Sequence, residues 1–395
     1  MLSGMRSSGS MHLGHYHGVL KNWLQLQHKY ECYFFVADWH ALTTHYDDTS
    51  GLEDQMWNMV VDWLAVGINP KIATLFVQSK VPEHAELFLL LSMITPLGWL
   101  ERVPTYKEQQ EKLKEKDLAT YGFLGYPLLQ SADILMYKAD AVPVGEDQVV
   151  HVELTREIAR RFNHVFGREP EFEAKAGRAV TKLGGKKRRI YEDARLRYQE
   201  QGDTEALAAG REVVESHPNL TVADKERLLG YIEGSGRIIL NEPQALLTEV
   251  PKLPGLDGQK MSKSYGNTIP LREETDVVAK KIRQMPTDPA RVRRTDPGEP
   301  EKCPVWEFHK IYSDDQRQEW VQEGCRSAGI GCIECKQPII DAVVAELEPI
   351  QQRGAEFEAN PDMVRGIIKE GSERARDTAR ETMDEVRHAM GLNYR

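Results

Sequence analysis

The sequence predicts an α/β fold in which a Rossmann-like parallel sheet is followed by a helical insertion and then by an α-helical C-terminal region. Three observations predict this order. Short apolar runs alternate with helical patterns at the start of the chain, a polar stretch follows, and helical patterns fill most of the remainder. The 395 residues also exceed what one hydrophobic core usually holds, so we expect more than one domain.

The first part of the chain contains two apolar runs, Cys32–Ala37 and Ala73–Gln78, that are predicted to be buried strands. A helical pattern lies between them and ends at Gly67. This order is typical of two parallel strands joined by a crossover helix. A third predicted strand, Ala141–Val144, runs into Gly145–Gln148, and open parallel sheets bind ligands at such strand ends.

The stretch from 171 to 236 is polar and charged, and we interpret it as a helical insertion. Thr221 to Asp224 has the pattern of a capping box that begins a helix, and Gly234 is a candidate for its end. Helical patterns dominate after a Pro- and Gly-rich link at 251–258. The expected domains are 1–170 for the sheet, 171–236 for the insertion, 237–275 for a connection and 276–395 for the helical region.

The composition limits the classes of partner. The chain is 41% hydrophobic and 28% charged, and it has no apolar run near the roughly 20 residues that cross a bilayer, so we expect a soluble protein without a membrane partner. No secretory or transit segment precedes the first motif, which predicts a cytoplasmic location. The formal charge of −10 argues against general attraction to polyanions, so any contact with nucleic acid is expected to be local.

The first chemical motif is the Gly-rich loop from Ser3 to His15, SGMRSSGSMHLGH, which runs into a helical pattern. Small residues allow a nucleotide to approach the backbone, and the helix N-terminus offers free N–H groups to phosphate. His12 and His15 are candidate donors to charge that develops on an α-phosphate. By itself the motif is also compatible with a histidine-containing turn of no special role.

The second motif is KMSKS, residues 260 to 264, in the Gly-rich loop GLDGQKMSKSYGN. Lys260 and Lys263 are candidates to hold a triphosphate as mobile point charges, although a solvated lysine loop is the alternative. In this order, HLGH and KMSKS resemble the two signature motifs of class I aminoacyl-tRNA synthetases. The pair is far more specific than either motif alone.

A candidate amino-acid pocket is formed by one face of the helical pattern YPLLQSADILMY. Tyr126, Gln130, Asp133 and Tyr137 recur on that face at helical spacing. Indole offers only an N–H donor, so a buried Asp133 carboxylate would orient it. A tyrosine hydroxyl also donates, so this face does not choose between the two amino acids, and an ordinary amphipathic helix with Asp133 exposed is the alternative.

Longer strings narrow the family. ADWHALTT, YPLLQSADILMYKADAVPVGEDQVVHVELTRE and PKLPGLDGQKMSKSYGN are similar to tryptophanyl-tRNA synthetases over most of the sheet domain. The resemblance implies ATP with Mg²⁺, L-tryptophan and tRNA(Trp) as ligands, a homodimer, and a C-terminal domain that binds the anticodon. It implies that Asp133 binds the indole and Gln148 the amino-acid backbone. The residues implied to bind ATP are Arg6, Ser7, Ser8, Gly14, His15, Gly145, Glu146, Asp147, Lys260, Met261, Ser262, Lys263 and Ser264.

Three features depart from the family pattern. Gln130 stands where many bacterial members have methionine, and glutamine is also familiar in tyrosyl enzymes, which keeps a tyrosyl-tRNA synthetase as an alternative. The stretch 171–236 has no counterpart in the minimal pattern, and little of the strand that usually precedes the first motif is expected. A noncatalytic nucleotide-sensing or RNA-binding paralogue is the alternative outside the class, but the intact lysines and histidines argue against it.

Four of the five cysteines lie close together in the sequence: Cys303, Cys325, Cys332 and Cys335. In a cytosolic chain this clustering predicts metal ligation, and four thiolates suit either zinc or an iron–sulfur cluster. The resemblance favours a 4Fe-4S cluster, because a subset of bacterial tryptophanyl-tRNA synthetases carries one on a similar pattern; structural Zn²⁺ is the alternative. The nearby Arg291, Arg293, Arg294 and Lys302 are expected to supply a local basic patch for tRNA.

Overall fold

The computed structural model describes residues 1–7, 9–103, 120–167, 171–247 and 253–394. The chain forms two compact units: the first contains residues 1–2, 79–247 and 373–395, and the second contains residues 3–78 and 248–372. Each unit groups residues that contact each other in space, so it combines segments that are distant in the sequence. The expected boundaries after residues 170, 236 and 275 stay predictions.

The described α-helices are numbered in chain order. They are α1 Leu13–His15, α2 Lys21–Leu26, α3 Asp38–His45, α4 Leu52–Val66, α5 Glu83–Ser92, α6 Leu97–Glu101, α7 Tyr121–Met136, α8 Val149–Phe166, α9 Phe172–Lys182, α10 Gly185–Gln201, α11 Thr204–Glu215, α12 Val222–Ile232, α13 Thr275–Gln284, α14 Pro304–Tyr312, α15 Asp315–Arg326, α16 Cys332–Ala359 and α17 Pro361–Ala389. A π-helical turn, Tyr16–Leu20, joins α1 to α2. The predicted combination of a parallel sheet with a helical C-terminal region is therefore confirmed.

The larger sheet has three described strands, β1 Leu2–Arg6, β2 Cys32–Ala37 and β3 Ala73–Val77, in the order β1-β2-β3. β2 and β3 are parallel, with Cys32 opposite Ala73. Every residue of β2 is buried, as expected for an apolar strand covered on both faces. The two predicted apolar strands are confirmed, with β3 one residue shorter than predicted. The strand β1 begins one residue before the Gly-rich segment Ser3–His15 and covers its first four residues, where a loop was predicted.

Helix α4 illustrates why the sequence folds this way in the second unit. Its apolar residues recur at helical spacing, and Val60, Val61 and Leu64 are buried. It ends at Gly67, whose φ of 112° lies in the left-handed region that favours glycine, as predicted. The helix packs against α16, where the Arg353 guanidinium donates a hydrogen bond to the Ala65 carbonyl at 2.6 Å. The C-terminal helices of this unit thus share a core with the strand-helix-strand element.

The first unit contains a second, two-stranded sheet. The predicted strand Ala141–Val144, here β4, is present with the predicted bounds and pairs in parallel with β5, Gln244–Leu247. Among the described strands, β4 is therefore not hydrogen-bonded to β2 or β3. The sequence did not predict β5, because QALL is short and none of its residues is fully buried.

The stretch 171–236 is helical, as predicted, and contains α9 to α12. Its helices share a hydrophobic core formed by Ala179, Val180, Leu183, Tyr191, Ala194, Ala206, Val214, Leu220, Leu228 and Ile232. The Thr221 hydroxyl accepts a hydrogen bond from the Asp224 N–H at 3.2 Å, so the predicted cap begins α12. Across the described part of the chain, no helix has the length and apolar character that a membrane crossing requires.

Candidate active site

The first signature loop begins where β1 ends, in the second unit. Arg6 is the last residue of the strand, and its guanidinium donates a hydrogen bond to the Thr44 hydroxyl. Ser7 is buried, and its hydroxyl has no hydrogen-bond partner among the described residues. Ser8, a predicted ATP-binding residue, lies outside the described residues. A buried hydroxyl without a partner is costly, so Ser7 is suited to donate to a ligand at this loop.

The two histidines of HLGH stack on each other at the start of the following helix. Their ring centroids are 3.7 Å apart, and the backbone N–H of His12 donates to the ring Nδ1 of His15, with 3.4 Å between the two nitrogens. His12 has extended backbone angles and precedes α1. The side chain of His12 is buried, and its Nδ1 has no hydrogen-bond partner within the described ranges. The predicted pair of histidines is therefore brought together.

Both histidines are neutral at neutral pH. Burial, followed by the positive charge of Lys263, lowers the pKa of His12 to about 4. Burial, followed by the charges of His12, Lys263 and Lys260, lowers the pKa of His15 to about 3. A neutral imidazole still carries one N–H donor. Each ring is therefore suited to donate one hydrogen bond to phosphate oxygen without adding a charge to the free protein.

The KMSKS loop is held by Asn267, which follows it. The Asn267 side chain accepts a hydrogen bond from the Ser262 N–H at 2.8 Å and donates to the Lys260 carbonyl at 3.1 Å. It also donates to the Asp257 carboxylate at 2.7 Å. The motif ends in a 3₁₀ turn, Lys263–Tyr265, which includes Ser264. One buried amide thus fixes the backbone from which the two lysines project.

The two signature segments contact each other within the second unit. The Leu13 N–H donates to the Ile269 carbonyl at 3.0 Å, and the Leu271 N–H donates to the Met11 carbonyl at the same distance. The Gly14 N–H lies 3.3 Å from Sδ of Met261, which is buried. These bonds fix HLGH and KMSKS relative to each other.

Glycines make this close approach possible. A Cβ on Gly14 would lie 3.0 Å from His12 Nδ1 and 3.3 Å from the Met261 Cβ. Gly9 has a φ of 85°, and a Cβ there would lie 3.1 Å from Nζ of Lys263. The second lysine of KMSKS therefore sits directly beside the first loop, where a phosphate chain would meet both segments.

The predicted amino-acid pocket lies in the first unit, where α7 packs against α5 and α8. Asp133 is 1% exposed, so the alternative of an exposed aspartate on an ordinary surface helix was wrong. Its Oδ1 lies 2.6 Å from Nδ1 of His84, and Nε2 of the same ring lies 2.7 Å from the Tyr137 hydroxyl. Because a carboxylate only accepts, Nδ1 carries the proton and Nε2 accepts from the tyrosine. Asp133 is thus oriented by two buried groups, His84 and Tyr137.

A second histidine connects the other two predicted pocket residues. His151 is buried, its Nδ1 lies 2.7 Å from Oε1 of Gln130, and its Nε2 lies 3.5 Å from the Tyr126 hydroxyl. The four residues of the predicted face therefore occur as two pairs, each joined by one histidine. Because the Gln130 side chain forms a hydrogen bond with His151, a polar residue is accommodated at this position.

The residues predicted to bind the nucleotide and the backbone of the amino acid lie just beyond β4. Gly145 precedes a 3₁₀ turn formed by Glu146, Asp147 and Gln148, and α8 begins at Val149. The Gln148 amide donates to the Asp147 carboxylate at 3.0 Å. Gly145, Glu146 and Asp147 are exposed, so they are accessible at the carboxyl end of a parallel strand, where such folds bind ligands.

The four clustered cysteines share one electrostatic environment in the second unit. Burial, followed by the charges of the neighbouring Cys303, Cys325 and Cys332, raises the pKa of Cys335 to about 12. Burial likewise raises the pKa of Cys303 and of Cys325. In the described part of the chain, however, no three His, Cys, Asp or Glu side chains form a group that could hold a metal ion. The four-cysteine ligand set therefore stays a prediction.

Cationic and imidazole groups surround these thiols. A guanidinium nitrogen of Arg291 lies 3.8 Å from Sγ of Cys325 and another donates to the Ile330 carbonyl at 2.9 Å. Nε2 of His309 lies 3.4 Å from Sγ of Cys335. Lys336 is buried and donates to the carbonyls of Arg283 and Met285. Within the predicted basic patch, Arg293 and Arg294 are exposed, while Lys302 pairs with Glu299 at 2.8 Å.

Sequence reasoning missed His84, His151 and Asn267. Each contacts a predicted site residue, but none has a distinctive spacing in the sequence. Their partners lie on different helices or across a loop, so only the folded chain brings them together. Asn267 had the clearest signal, because it follows KMSKS directly in the turn-rich string SYGN.

Comparison with known proteins gives the family. The pattern of the family described as "tRNA synthetases class I (W and Y)" matches residues 1–188 and 206–348. A tryptophan–tRNA ligase of Ralstonia nicotianae is 63% identical over 394 residues, which is all of this chain and 98% of that protein. A tryptophan–tRNA ligase of Thermotoga maritima is 44% identical, over all of this chain and 99% of that protein.

Solved structures agree. A crystal structure of tryptophanyl-tRNA synthetase from Campylobacter jejuni, complexed with ADP and tryptophan, has a TM-score of 0.72 and 27% identity and covers 99% of both chains. A tyrosyl enzyme of Archaeoglobus fulgidus, at 20% identity, shares the fold. The chain belongs to the tryptophan and tyrosine family of class I tRNA synthetases, and the two relatives compared above are tryptophan–tRNA ligases.

Proposed function

We propose that the chain activates L-tryptophan with ATP and transfers it to tRNA(Trp). The observation that carries this proposal is the contact between the two signature segments, in which Gly14 meets Met261 and Lys263 lies beside Gly9. Ser7 and His12 of the first segment are buried and carry polar atoms without protein partners in the described residues, which a ligand could satisfy. The high identity to tryptophan–tRNA ligases supports the same reaction.

In the first step a tryptophan carboxylate oxygen attacks the α-phosphorus of ATP. A bond forms between that oxygen and phosphorus, the bond to the bridging oxygen breaks, and pyrophosphate leaves with its charge. No protein nucleophile is required, so the protein acts by positioning and by electrostatic stabilisation. His12 and His15 donate to the α-phosphate, while Lys260 and Lys263 hold the departing pyrophosphate. Mg²⁺, expected for this class, neutralises phosphate charge.

Amino-acid selection is assigned to the buried face of α7. Asp133 accepts the indole N–H, and His84 together with Tyr137 keeps that carboxylate in place. Gln148 binds the amino and carboxylate groups of the amino acid, and Gly145, Glu146 and Asp147 lie along the adenosine. A buried acceptor that loses its donor is costly, which provides discrimination against side chains without an N–H or O–H donor.

In the second step a ribose hydroxyl at the end of tRNA(Trp) attacks the tryptophanyl carbonyl, and AMP leaves. The helical C-terminal residues 276–395 are proposed to bind the anticodon, in the cytoplasm. Exposed Arg293 and Arg294 support a local contact with phosphate on a chain whose formal charge is −10.

Amino-acid-dependent exchange of pyrophosphate with ATP tests the first step. Tryptophan and tyrosine are supplied separately, and we expect exchange with tryptophan only. Exchange with tyrosine alone would establish the tyrosyl alternative, which the family description also includes. Exchange with neither amino acid would favour a noncatalytic paralogue.

We also propose that Cys303, Cys325, Cys332 and Cys335 hold a structural 4Fe-4S cluster. Support comes from their mutual electrostatic influence and from the positive charge of Arg291 beside Cys325. Because the pKa values of Cys303, Cys325 and Cys335 are raised, ligation must release protons. Protein purified without oxygen should be brown, contain about four irons per chain, and lose its colour in Cys332→Ser. If the protein is colourless and contains one zinc per chain, the assigned metal changes from iron to zinc. If the protein contains no metal, the proposed ligand set is wrong.

A homodimer completes the proposal. Large apolar side chains are exposed along α5 to α7 in the first unit: Leu89, Met93, Leu97 and Tyr121. Exposed apolar groups close together favour association with a second copy of this chain. Light scattering should give twice the chain mass for the parent and a lower mass for Met93→Glu. Leu196→Glu, at an exposed apolar residue of the insertion, is the matched control, and equal masses for all three proteins would reject this surface.

A further inference from the structure

Asp62 is a buried carboxylate of α4 that the reaction described above does not use. It is 1% exposed, and both of its oxygens are engaged. Oδ2 accepts the backbone N–H of Met11 at 2.6 Å, and Oδ1 accepts Nε of Arg272 at 2.5 Å. Burying a carboxylate is expensive unless it is paired and hydrogen-bonded, and Asp62 meets both conditions.

The two partners of Asp62 belong to the two signature segments. Met11 directly precedes His12, while Arg272 directly follows Ile269–Leu271, the strand-like stretch after KMSKS. That stretch is bonded to residues 11 and 13 through two backbone hydrogen bonds. One side chain from a third element therefore ties together the places where both segments meet.

Asp62 also acts on Lys263 through its charge. Loss of hydration lowers the pKa of Lys263, and the negative charge of Asp62 opposes this. His12 and His15 face the same lysine but are neutral, because burial lowers their pKa values to about 4 and about 3. Lys260 and Arg272 are basic residues of the KMSKS segment and of the stretch that follows it, so neither supplies a negative charge to Lys263. Among the described residues, Asp62 is a carboxylate whose charge favours the protonated form of Lys263.

We propose that Asp62 is a positioning residue for adenylate formation, which fixes the spacing of the HLGH and KMSKS segments and serves as the counter-charge of Lys263. This rests on the proposed function of the two segments as the ATP site. Asp62 acts through Met11, Arg272 and Lys263 and touches no reacting atom. Its removal therefore changes the rate of the step and the pH range in which Lys263 is charged.

The test uses two substitutions that separate position from charge. Asp62→Asn keeps the shape but removes the charge and leaves the Arg272 guanidinium without its buried counter-ion. Asp62→Glu keeps the charge but displaces the carboxylate by one methylene. Asn58→Ala is the matched control, because Asn58 lies on the same helix and its Oδ1 also accepts a hydrogen bond from Arg272, at 3.0 Å, but the side chain carries no charge.

Tryptophan-dependent pyrophosphate exchange is measured across pH for each full-length protein, with far-ultraviolet circular dichroism to confirm folding. We expect kcat to fall on the order of 100-fold in Asp62→Asn and Asp62→Glu, the scale of a displaced catalytic group, with the KM for tryptophan unchanged. The alkaline limb of kcat/KM for ATP should move to lower pH only in Asp62→Asn, because Lys263 loses its counter-charge. Asn58→Ala should match the parent.

The parent protein, assayed first, reports on the proposed function by itself. If the parent exchanges pyrophosphate and a folded Asp62→Asn protein has the same rate and the same alkaline limb, the positioning role is overturned. If the Asp62→Asn protein does not fold, the activity of Asp62→Glu becomes the test of the proposal. A parental kcat in Asp62→Glu would then overturn the proposal.

Discussion

The backbone N–H of Gly14 lies 3.3 Å from the sulfur of Met261, although the two residues are 247 positions apart in the sequence. This contact joins HLGH to KMSKS at a point where one added atom on Gly14 would crowd both segments. A Cβ on Gly14 would approach His12 as closely as 3.0 Å. The spacing of the two motifs therefore depends on the absence of one methyl group.

Replacing Gly14 by alanine should slow adenylate formation by about 10- to 100-fold, because the methyl group displaces His12 and Met261 by a fraction of an ångström. Gly18→Ala is the matched control in the following π-helical turn, where an added Cβ meets nothing within 4 Å. Single-turnover exchange measures both. Equal rates for Gly14→Ala and the parent would contradict a tight contact.

Replacing Asn267 by alanine should loosen the KMSKS backbone and lower the exchange rate, with a loss of about 1–3 kcal/mol from the hydrogen bonds to Ser262, Lys260 and Asp257. Asn267→Asp keeps the acceptor for the Ser262 N–H but cannot donate to the other two groups. We expect its defect to match or exceed that of alanine, since it places a second carboxylate beside Asp257. A parental rate in Asn267→Ala would show that the loop is held by other contacts.

His15 should make stability depend on pH. Its folded pKa is about 3, below the ordinary 6.5, so the unfolded chain binds more protons between these values. The contribution of His15 to stability is therefore largest above pH 6.5 and is lost as pH falls towards 3. His15→Gln should reduce this loss in urea unfolding at a series of pH values, while His28→Gln, at an exposed histidine, should not. An identical pH dependence for parent and His15→Gln would contradict the neutral buried ring.

Asp133→Asn should impair the use of tryptophan far more than the binding of ATP. The amide can turn its NH₂ towards the indole donor and loses the charge-assisted bond, at a cost of about 1.5–3 kcal/mol. His84→Gln should give a smaller defect of the same kind, because His84 orients the carboxylate without binding the indole. KM and kcat for tryptophan and ATP are measured separately. Unchanged tryptophan kinetics in a folded Asp133→Asn protein would remove Asp133 from the pocket.

Glu346→Gln should change acid stability. Burial would raise the pKa of Glu346, but hydrogen bonds from His17, Lys21 and Tyr312 prevail and lower it to about 2, from an ordinary value of 4.5. The stabilisation is present above pH 4.5 and is lost as pH falls towards 2. Unfolding measurements should show a weaker pH dependence in this interval for Glu346→Gln than for Glu348→Gln, an exposed control on the same helix. Equal slopes would contradict the shifted pKa.

The sequence by itself determined the local structure where a periodic pattern and a stop signal coincided. β2 and β4 have the predicted bounds, α4 ends at Gly67, and Thr221 caps α12. These features depend on neighbouring residues, so they can be recognised without the fold. The two signature motifs were recognised for the same reason, since each is a short continuous string of residues whose chemistry can be inferred without knowledge of the fold.

Only the tertiary structure decided which groups serve those motifs. Asp62 and Arg272 meet across 210 positions, and His84 meets Asp133 across 49. β5 pairs with β4 although QALL carries no strong strand signal. A buried polar group must find its partner wherever the packed chain places one, and loop closure costs little more for a distant partner than for a near one. Sequence spacing therefore identified the loops, but burial and hydrogen bonding selected the residues that hold them.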